Sequence, residues 1–247
     1  MTPLIRLLLM LLIPVCVHAS PDHAREKRWA DEITPTLVVG EALYLAQKSG
    51  HRFLALHTEA REPRAAVIVV HGLGVHPDWA LIGALRSSLP DHGYTTLAIQ
   101  MPVLAADAKG EQYPALFDDA AERLSAAAAF LRARGHRQLA IASHSMGARM
   151  ANHFLATGAA QGIAAWIAIG ISTGVYADAG RLRLPVLDIF GERDFPQVLK
   201  NADARAAAIA ALRGSAQIEV PGADHYFNGS EAALAARVRQ FLDHTFR

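Results

Sequence analysis

From residue 65 onward, short apolar runs of strand length alternate with stretches of helical pattern. The first of these runs, Ala65–Val70, is apolar throughout and rich in β-branched residues, which is typical of a strand buried on both faces. This alternation predicts a mainly parallel sheet with helices on both faces, joined by right-handed crossovers. Two strand-like runs upstream, residues 37–46 and 52–58, flank Lys48-Ser49-Gly50 and predict a hairpin. The predicted sheet then has about eight strands.

The other elements are predicted from the same apolar periodicity. The remaining strands are expected at residues 95–100, 139–142, 163–169, 186–190 and 217–220. Helices are expected at residues 79–92, 115–134, 146–156, 196–212 and 231–246. Since no internal repeat or low-complexity linker interrupts the pattern, residues 37–247 are predicted to form one α/β domain.

The amino-terminal residues 1–19 have the pattern of a secretory signal peptide. Arg6 supplies the positive charge, residues 7–17 form an apolar run, and Val17-His18-Ala19 is a small-x-small cleavage site. The run is too short to span a bilayer as a stable helix. We therefore expect an exported protein, periplasmic or secreted, whose only cysteine is removed with the signal. Residues 20–36, which are charged and polar apart from Trp29, are expected to form a surface leader.

Charge and composition exclude several classes of function. Arg6 is the only charged residue of the predicted signal, so the mature chain carries 23 basic and 23 acidic residues. The basic residues are scattered without aromatic interleaving, which argues against nucleic acid as a partner. No group of His, Asp and Glu has convincing metal-ligand spacing, and no Gly-rich loop suits a nucleotide phosphate, so neither a metal nor a cofactor is expected.

The strand predicted at residues 139–142 runs into Ser143-His144-Ser145-Met146-Gly147 and then into residues that favour helix. Small-x-Ser-x-Gly is typical of a sharp strand-to-helix turn that holds a serine above the carboxyl edge of a sheet. The crowded backbone requires small residues two positions before and after Ser145. Gly is usual at the first of these positions, so Ser143 is a departure. A chance Ser-x-Ser-x-Gly at a strand–helix junction is the alternative interpretation.

Functional groups in open parallel sheets gather in the loops beyond the carboxyl ends of the strands. Four such loops carry chemistry-bearing residues here, in the order His71-Gly72-Leu73-Gly74, the serine turn, Gly191-Glu192-Arg193-Asp194 and Gly222-Ala223-Asp224-His225. A serine, an acid and a histidine thus follow three of these strands, in that order along the chain.

On these four motifs the chain resembles the α/β-hydrolase superfamily of serine hydrolases, across essentially the whole sequence after the predicted signal. The run 71–79 resembles a small exported bacterial group of unknown substrate. The resemblance implies that Ser145 is the nucleophile, that His225 is the base and later the acid, and that Asp194 fixes the tautomer of the imidazole.

The resemblance also implies an oxyanion hole and residues that shape the site. Met146, which follows the nucleophile, and Leu73 in the His-Gly-x pattern are expected to donate their backbone N–H groups to the oxyanion. His71 is expected to order this loop by hydrogen bonding, Gly72 to let the backbone turn, and Gly147 to fit the crowded serine turn.

Alternatives remain for some of these roles. Asp188 is a rival acid, although it lies inside a predicted strand and would point into the sheet or a helix interface. Asp224 is adjacent to His225 and is expected to face away from it. A surface histidine in a turn is the alternative interpretation of His225, and His144 is given no catalytic role.

The connections around the site are short. Residues 171–184, where a lid is usually inserted in this superfamily, are fourteen in number with Tyr176 as the only aromatic, and the loop 101–114 is equally short. We therefore expect a minimal lid and an open cleft for soluble or polymer-attached esters.

The predicted function is an exported serine hydrolase that cleaves a carboxylic ester or a related thioester or amide. Two alternatives stay open. One is a non-catalytic envelope protein that keeps the fold as a binding scaffold, suggested by Ser143 and the short lid, and the other is a cofactor-free lyase or acyltransferase. The sequence predicts no oligomeric state.

Overall fold

The computed structural model describes residues 20–158, 160–173, 176 and 182–247. The strands in this part of the chain are β1 (Glu41–Ala46), β2 (Arg52–Thr58), β3 (Ala65–Val70), β4 (Tyr94–Ile99), β5 (Leu139–His144), β6 (Ile163–Ile169), β7 (Val186–Arg193) and β8 (Ala216–Asp224). They form one sheet in the order β1-β2-β4-β3-β5-β6-β7-β8. β2 is antiparallel to β1 and β4, and all other neighbouring strands are parallel. The predicted eight-stranded, mostly parallel sheet is confirmed.

Helices cover both faces of the sheet, as the alternating pattern predicts. They are α1 (His23–Ile33), α2 (Ala80–Ser88), α3 (Phe117–Ala133), α4 (Met146–Ala156), α5 (Pro196–Lys200), α6 (Ala202–Ile209) and α7 (Glu231–Thr245). α3 and α4 pack in the hydrophobic core on one face, and α1, α2 and α7 pack in the core on the other. β3 is buried along its whole length between these layers, which explains its lack of polar alternation.

Several predicted elements differ from the structure. The strand expected at residues 37–46 begins only at Glu41, because Gly40, with a φ of +81°, turns the backbone just before it. The strands expected at residues 139–142 and 186–190 continue to His144 and Arg193. The helix expected at residues 196–212 is interrupted at Asn201, whose side-chain amide donates to the Gln197 carbonyl and competes with the helical backbone. The last strand extends beyond the predicted 217–220 to Asp224, because β8 follows β7 into the loop region.

The segment 20–36, expected from its charge to be a surface leader, contains α1. One face of this helix is buried, with Ala30 and Ile33 in the same core as α2 and α7. Apolar residues spaced three positions apart lie on one face of a helix, and this face packs on the core. The segment as a whole is polar, so its average composition does not reveal that face. Glu26 is also buried there and receives both terminal nitrogens of Arg123, at 3.0 and 3.1 Å.

Some predictions fall outside the described residues. The signal peptide predicted at residues 1–19 lies wholly outside them, and the short lid connection 171–184 lies partly outside them. Among the helices of the described ranges, none combines the length and apolarity needed to cross a bilayer.

Candidate active site

The serine turn joins β5 to α4 at the carboxyl edge of the sheet. Ser145 has φ 54° and ψ −117°, a backbone conformation that is strained for a residue with a side chain. Its N–H donates to the Ile169 carbonyl at 2.8 Å, which ties the turn to the end of β6. A Cβ at position 147 would overlap the His71 carbonyl oxygen. Gly147 is therefore required by the close approach of the β3 loop to this turn.

Ser143, the departure from the usual glycine, is accommodated by a partner on the neighbouring strand. Its hydroxyl accepts a hydrogen bond from the indole N–H of Trp166 at 2.8 Å and donates to the Ile167 carbonyl at 3.2 Å. The side chain is fully buried, so both bonds offset the cost of placing a hydroxyl in the core. The extra side chain thus points away from the serine turn, into the sheet interface with β6.

The three side chains predicted to converge lie in series. The Ser145 hydroxyl is 2.9 Å from His225 Nε2, and His225 Nδ1 is 2.6 Å from Asp194 Oδ1. Asp194 and His225 are only 5% and 2% exposed. With Nδ1–H donating to the carboxylate, Nε2 is left as the acceptor that faces the hydroxyl. This arrangement can take a proton from Ser145 and stabilise the resulting imidazolium.

Backbone groups hold the Asp194 carboxylate in place. Oδ1 accepts from the Phe195 N–H at 2.7 Å, and Oδ2 accepts from the Gly191 N–H at 3.3 Å. The loop's own backbone thus orients the carboxylate. The carboxylate can still accept a further hydrogen bond, and this acceptor position faces the imidazole. Asp194 follows β7 and His225 follows β8, so two adjacent strands of the sheet position this pair.

Gly170, which follows β6, packs directly against this pair, and the sequence analysis missed it. A Cβ there would lie 3.1 Å from His225 Nδ1 and 3.2 Å from Asp194 Oδ2, and its φ is +56°. A glycine directly after a strongly apolar strand was the available signal, because it marks either a turn or a close backbone approach. Gly72 is similarly close, with its hypothetical Cβ 3.2 Å from the Ser145 Cβ.

His71 connects the loop after β3 to the end of β4. Its Nε2 accepts the Met101 N–H at 2.9 Å, so Nδ1 carries the hydrogen and donates to the Gly72 carbonyl at 2.8 Å. Burial lowers the pKa of His71 to about 3, which keeps the ring neutral and this tautomer fixed. The His71 ring therefore fixes the backbone of the loop that contains Leu73.

The two residues predicted to donate to an oxyanion border the same cavity as Ser145. Met146 is the first residue of α4, so its N–H has no acceptor within the helix, and the helix dipole adds positive potential there. Leu73 follows Gly72, which contacts the nucleophile turn.

His144, to which the sequence analysis gave no catalytic role, contacts the main chain of His225. Its Nε2–H donates to the His225 carbonyl at 2.9 Å, and the two rings lie 4.8 Å apart. Desolvation, with a smaller contribution from His225, lowers the pKa of His144 to about 3, so the ring is neutral. It anchors the loop that carries the imidazole of His225.

The two rival acids have partners other than the His225 imidazole. Asp188 is fully buried in β7, where Arg205 Nε donates to both carboxylate oxygens at 3.1 and 3.0 Å and Gln217 donates at 2.6 Å. Asp224 accepts from the Tyr226 and Asn228 backbone N–H groups and so closes the turn beside His225.

A cavity of about 720 Å³ opens above Ser145 and His225. Phe195 stacks on the His225 ring with 4.0 Å between centroids, and Tyr226 meets Trp79 edge-on at 5.5 Å. Phe195 and Tyr226 are 43% and 40% exposed, so the aromatic rim is open to solvent. The sequence motifs predicted none of these three rings as part of the site.

Comparison with known proteins supports the fold. Residues 14–116 match a family described as a protein of unknown function (DUF3530), which covers less than half of the chain and ends before the serine turn. No curated protein matches the sequence significantly.

Several solved structures are similar over most of their length. A dienelactone hydrolase from Anabaena variabilis is 20% identical, with a TM-score of 0.66 over 83% of this chain and 97% of that one. A serine hydrolase without a lid from Xanthomonas campestris is 20% identical, with a TM-score of 0.64 over 84% and 95%. Est1E from Butyrivibrio proteoclasticus, solved with ferulic acid bound, is 15% identical, with a TM-score of 0.65 over 83% and 99%. The chain therefore has the α/β-hydrolase fold.

Proposed function

We propose that this protein, an α/β-hydrolase by fold, is a serine hydrolase that cleaves carboxylic esters through an acyl-enzyme on Ser145. The observation that carries the proposal is the series of contacts from the Ser145 hydroxyl to His225 at 2.9 Å and from His225 to Asp194 at 2.6 Å. A serine hydroxyl is a weak nucleophile unless a base removes its proton. Nε2 of His225 is placed to be that base.

In the first half of the reaction, Ser145 Oγ attacks the ester carbonyl carbon while its proton passes to His225 Nε2. The oxyanion that forms is stabilised by the Met146 and Leu73 N–H groups, each of which typically contributes about 3–4 kcal/mol. Asp194 stabilises the imidazolium. His225 then donates the proton to the alkoxide oxygen, the alcohol leaves, and the acyl group stays on Ser145.

The second half repeats these steps with water. His225 Nε2 takes a proton from a water molecule while the water oxygen attacks the acyl carbon. Collapse of the tetrahedral intermediate breaks the bond to Ser145 Oγ, which recovers its proton from His225. The carboxylic acid leaves and the enzyme is restored.

The cavity favours an ester of modest size with an aromatic or compact apolar group. Trp79, Phe195 and Tyr226 supply flat apolar surface beside the nucleophile, and the rim stays open. Long acyl chains need an enclosed apolar tunnel, and the half-exposed rings offer little enclosure. Relatives in fold named dienelactone hydrolase and Est1E, at 20% and 15% identity, support the class of reaction and not the substrate.

The test is hydrolysis of p-nitrophenyl acetate, butyrate, octanoate and laurate by the purified protein. We expect the highest kcat/KM for the acetate or butyrate and a loss of more than about 1000-fold in Ser145→Ala. Ser172→Ala is the matched control, because Ser172 lines the same cavity but has no part in the proposed proton transfer, and its activity should be unchanged. Equal activity in both variants, or none in the wild type, would contradict the proposal.

Export is part of the proposal and rests on residues 1–19 alone. The charge of Arg6, the apolar run and the small-residue site together favour cleavage after Ala19. Amino-terminal sequencing of protein recovered from fractionated cells checks it. We expect a mature chain that begins at Ser20 in the exported fraction, and an intact residue 1 in the cytoplasmic fraction would contradict export.

A further inference from the structure

Two buried histidines and a glutamate meet at the edge of the sheet opposite Ser145. His57 lies near the end of β2, Glu59 follows that strand, and His136 precedes β5. β2 runs antiparallel to β4, so its last residues lie beside the amino end of β4. Ser145 follows the other end of β5, six residues away along the strand, or about 20 Å. This cluster therefore has no part in the site described above.

The three side chains have the spacing of ligands around one metal ion. His57 Nε2 is 3.2 Å from Glu59 Oε2, His136 Nε2 is 3.4 Å from Glu59 Oε1, and the three ligand atoms all lie within 4.8 Å of one another. Two donors that each lie about 2.0–2.1 Å from a tetrahedral ion are about 3.4 Å apart. The two separations between an imidazole and the carboxylate match the edges of such a site.

The ring nitrogens that face the cluster lack a hydrogen bond. His57 is 3% exposed and His136 is 8% exposed, yet neither Nε2 makes a well-directed hydrogen bond with the nearby carboxylate or with any other group of the described residues. Buried polar atoms almost always have a partner, so two unsatisfied nitrogens aimed at one carboxylate call for a common ligand. A cation held by both lone pairs satisfies them together.

Outer contacts orient these ligands. Glu41, the cross-strand neighbour of His57, lies 3.1 Å from His57 Nδ1. An Nδ1–H that donates to this carboxylate leaves the Nε2 lone pair free for a metal, the usual arrangement of a metal-bound histidine. Thr95 Oγ1–H donates to Glu59 Oε1 at 2.8 Å and is itself held by the Ala60 N–H at 3.1 Å.

We propose that His57 Nε2, His136 Nε2 and the Glu59 carboxylate bind a zinc ion, with water as the fourth ligand. Two imidazoles and one carboxylate are a donor set that Zn²⁺ prefers in tetrahedral geometry. The Glu59 side chain is 47% exposed, which gives the ion a path from solvent and leaves room for the water. The bound ion ties the β1–β2 hairpin to the start of β5, so it stabilises the fold without taking part in ester hydrolysis.

A second group, His23, Glu26 and His51, is a contrast within the same chain. Both oxygens of Glu26 already receive the Arg123 guanidinium, and the two imidazole rings stack with centroids 3.6 Å apart. Because the Glu26 carboxylate is already paired with Arg123, this group serves as a matched control.

The test is calorimetric titration of the full chain, freed of metal by a chelator, with zinc chloride near neutral pH. We expect one equivalent to bind and the thermal midpoint to rise. Affinity should fall by more than about 100-fold in His57→Gln and in His136→Gln, since even outer contacts of a metal site are worth 10- to 100-fold. His51→Gln should bind like the wild type, and all variants should keep the ester activity of the wild type.

Wild-type protein with cobalt chloride provides a second measurement that does not depend on the folding of a variant. A tetrahedral Co²⁺ site gives intense visible absorption that saturates at one equivalent and is reversed by zinc. Absence of saturable binding by either metal would overturn the proposal. Undiminished zinc binding in the His57 and His136 variants, or a loss confined to His51→Gln, would also overturn it.

Discussion

The guanidinium of Arg25 donates a hydrogen bond to the Gly74 carbonyl at 3.0 Å and another to the Leu104 carbonyl at 2.9 Å. One side chain of α1 thereby holds the loop after β3, which carries Leu73, and the loop after β4. The same guanidinium lies over the Trp29 ring, 4.6 Å from its centroid, which fixes it against the helix. The amino-terminal helix is thus a support for the proposed oxyanion hole.

Arg25→Met should reduce ester hydrolysis although Arg25 touches no reacting atom. Loss of two charge-assisted hydrogen bonds costs about 1.5–3 kcal/mol each when the acceptors are left buried. We expect kcat to fall by about tenfold with KM nearly unchanged, because the oxyanion donor becomes poorly positioned. Arg28→Met, an exposed position on the same helix, is the control. An equal kcat in the two variants would contradict this role.

Gly170→Ala should separate His225 from Asp194. The new methyl group would sit 3.1 Å from His225 Nδ1 and 3.2 Å from Asp194 Oδ2, closer than carbon and these atoms normally pack. Gly158→Ala is a matched control, since its φ is also positive, at +76°, and among the described residues no atom beyond its chain neighbours lies within 4 Å of the added carbon. Both variants should lose about 1 kcal/mol of stability from backbone strain. Only Gly170→Ala should lose more than about tenfold in kcat.

Replacement of the two buried acids, Asp188 in β7 and Asp194 in the loop after it, should have opposite effects on activity and on stability. Asp194→Asn is expected to lower kcat by about 10³- to 10⁴-fold with little loss of stability, because the amide no longer holds the productive tautomer of His225. Asp188→Asn should leave kcat intact and lower the free energy of unfolding by about 3 kcal/mol, since it breaks a buried ion pair with Arg205. Rates and urea denaturation of both variants check this. A loss of kcat confined to Asp188→Asn would reverse the assignment.

The neutral histidines should make stability depend on pH. His71 and His144 both have a pKa lowered to about 3 in the folded protein, whereas the unfolded value is near 6.5. As the pH falls below about 6.5, the unfolded chain binds protons that the folded chain does not, so the free energy of unfolding decreases until about pH 3. Each ring contributes about 1.4 kcal/mol per pH unit.

His144→Gln removes one of these rings and keeps a donor for the His225 carbonyl. Urea denaturation between about pH 6 and pH 4 should therefore show a slope shallower than that of the wild type by about 1.4 kcal/mol per pH unit. The comparison cancels the contributions of the other titrating groups. Equal slopes would show that His144 titrates alike in both states.

Strands, helices and the order of the serine, acid and histidine were predictable from the sequence because each leaves a local pattern. Ala65–Val70 and Ile163–Ile169 have the predicted bounds, since their strand-like length and the Gly or Pro residues that flank them favour a strand over a helix. The convergence of Ser145, Asp194 and His225 followed from the rule that parallel strands end at one edge.

Contacts between distant segments were not predictable in this way. The indole of Trp166 on β6 gives the Ser143 hydroxyl of the neighbouring strand a hydrogen-bond partner. Arg25 binds loops that lie far along the chain, and His57 lies close to His136 at the edge of the sheet opposite Ser145. The two residues of each contact are separated by tens of residues in sequence. A single residue forms no periodic pattern, so the sequence does not reveal its partner. The residues of the proposed zinc site form no spaced ligand motif either, because His136 lies far from His57 and Glu59 in sequence.

The proposed ester hydrolysis depends most directly on whether Ser145 is an activated nucleophile. Reaction of the folded wild-type protein with a fluorophosphonate, followed by peptide mass spectrometry, measures this in one step. We predict a single covalent adduct on Ser145, formed more than about 100-fold more slowly in His225→Gln, which lacks the general base. A folded wild-type protein that stays unlabelled, or one labelled equally fast when His225 is replaced, would contradict the proposed mechanism.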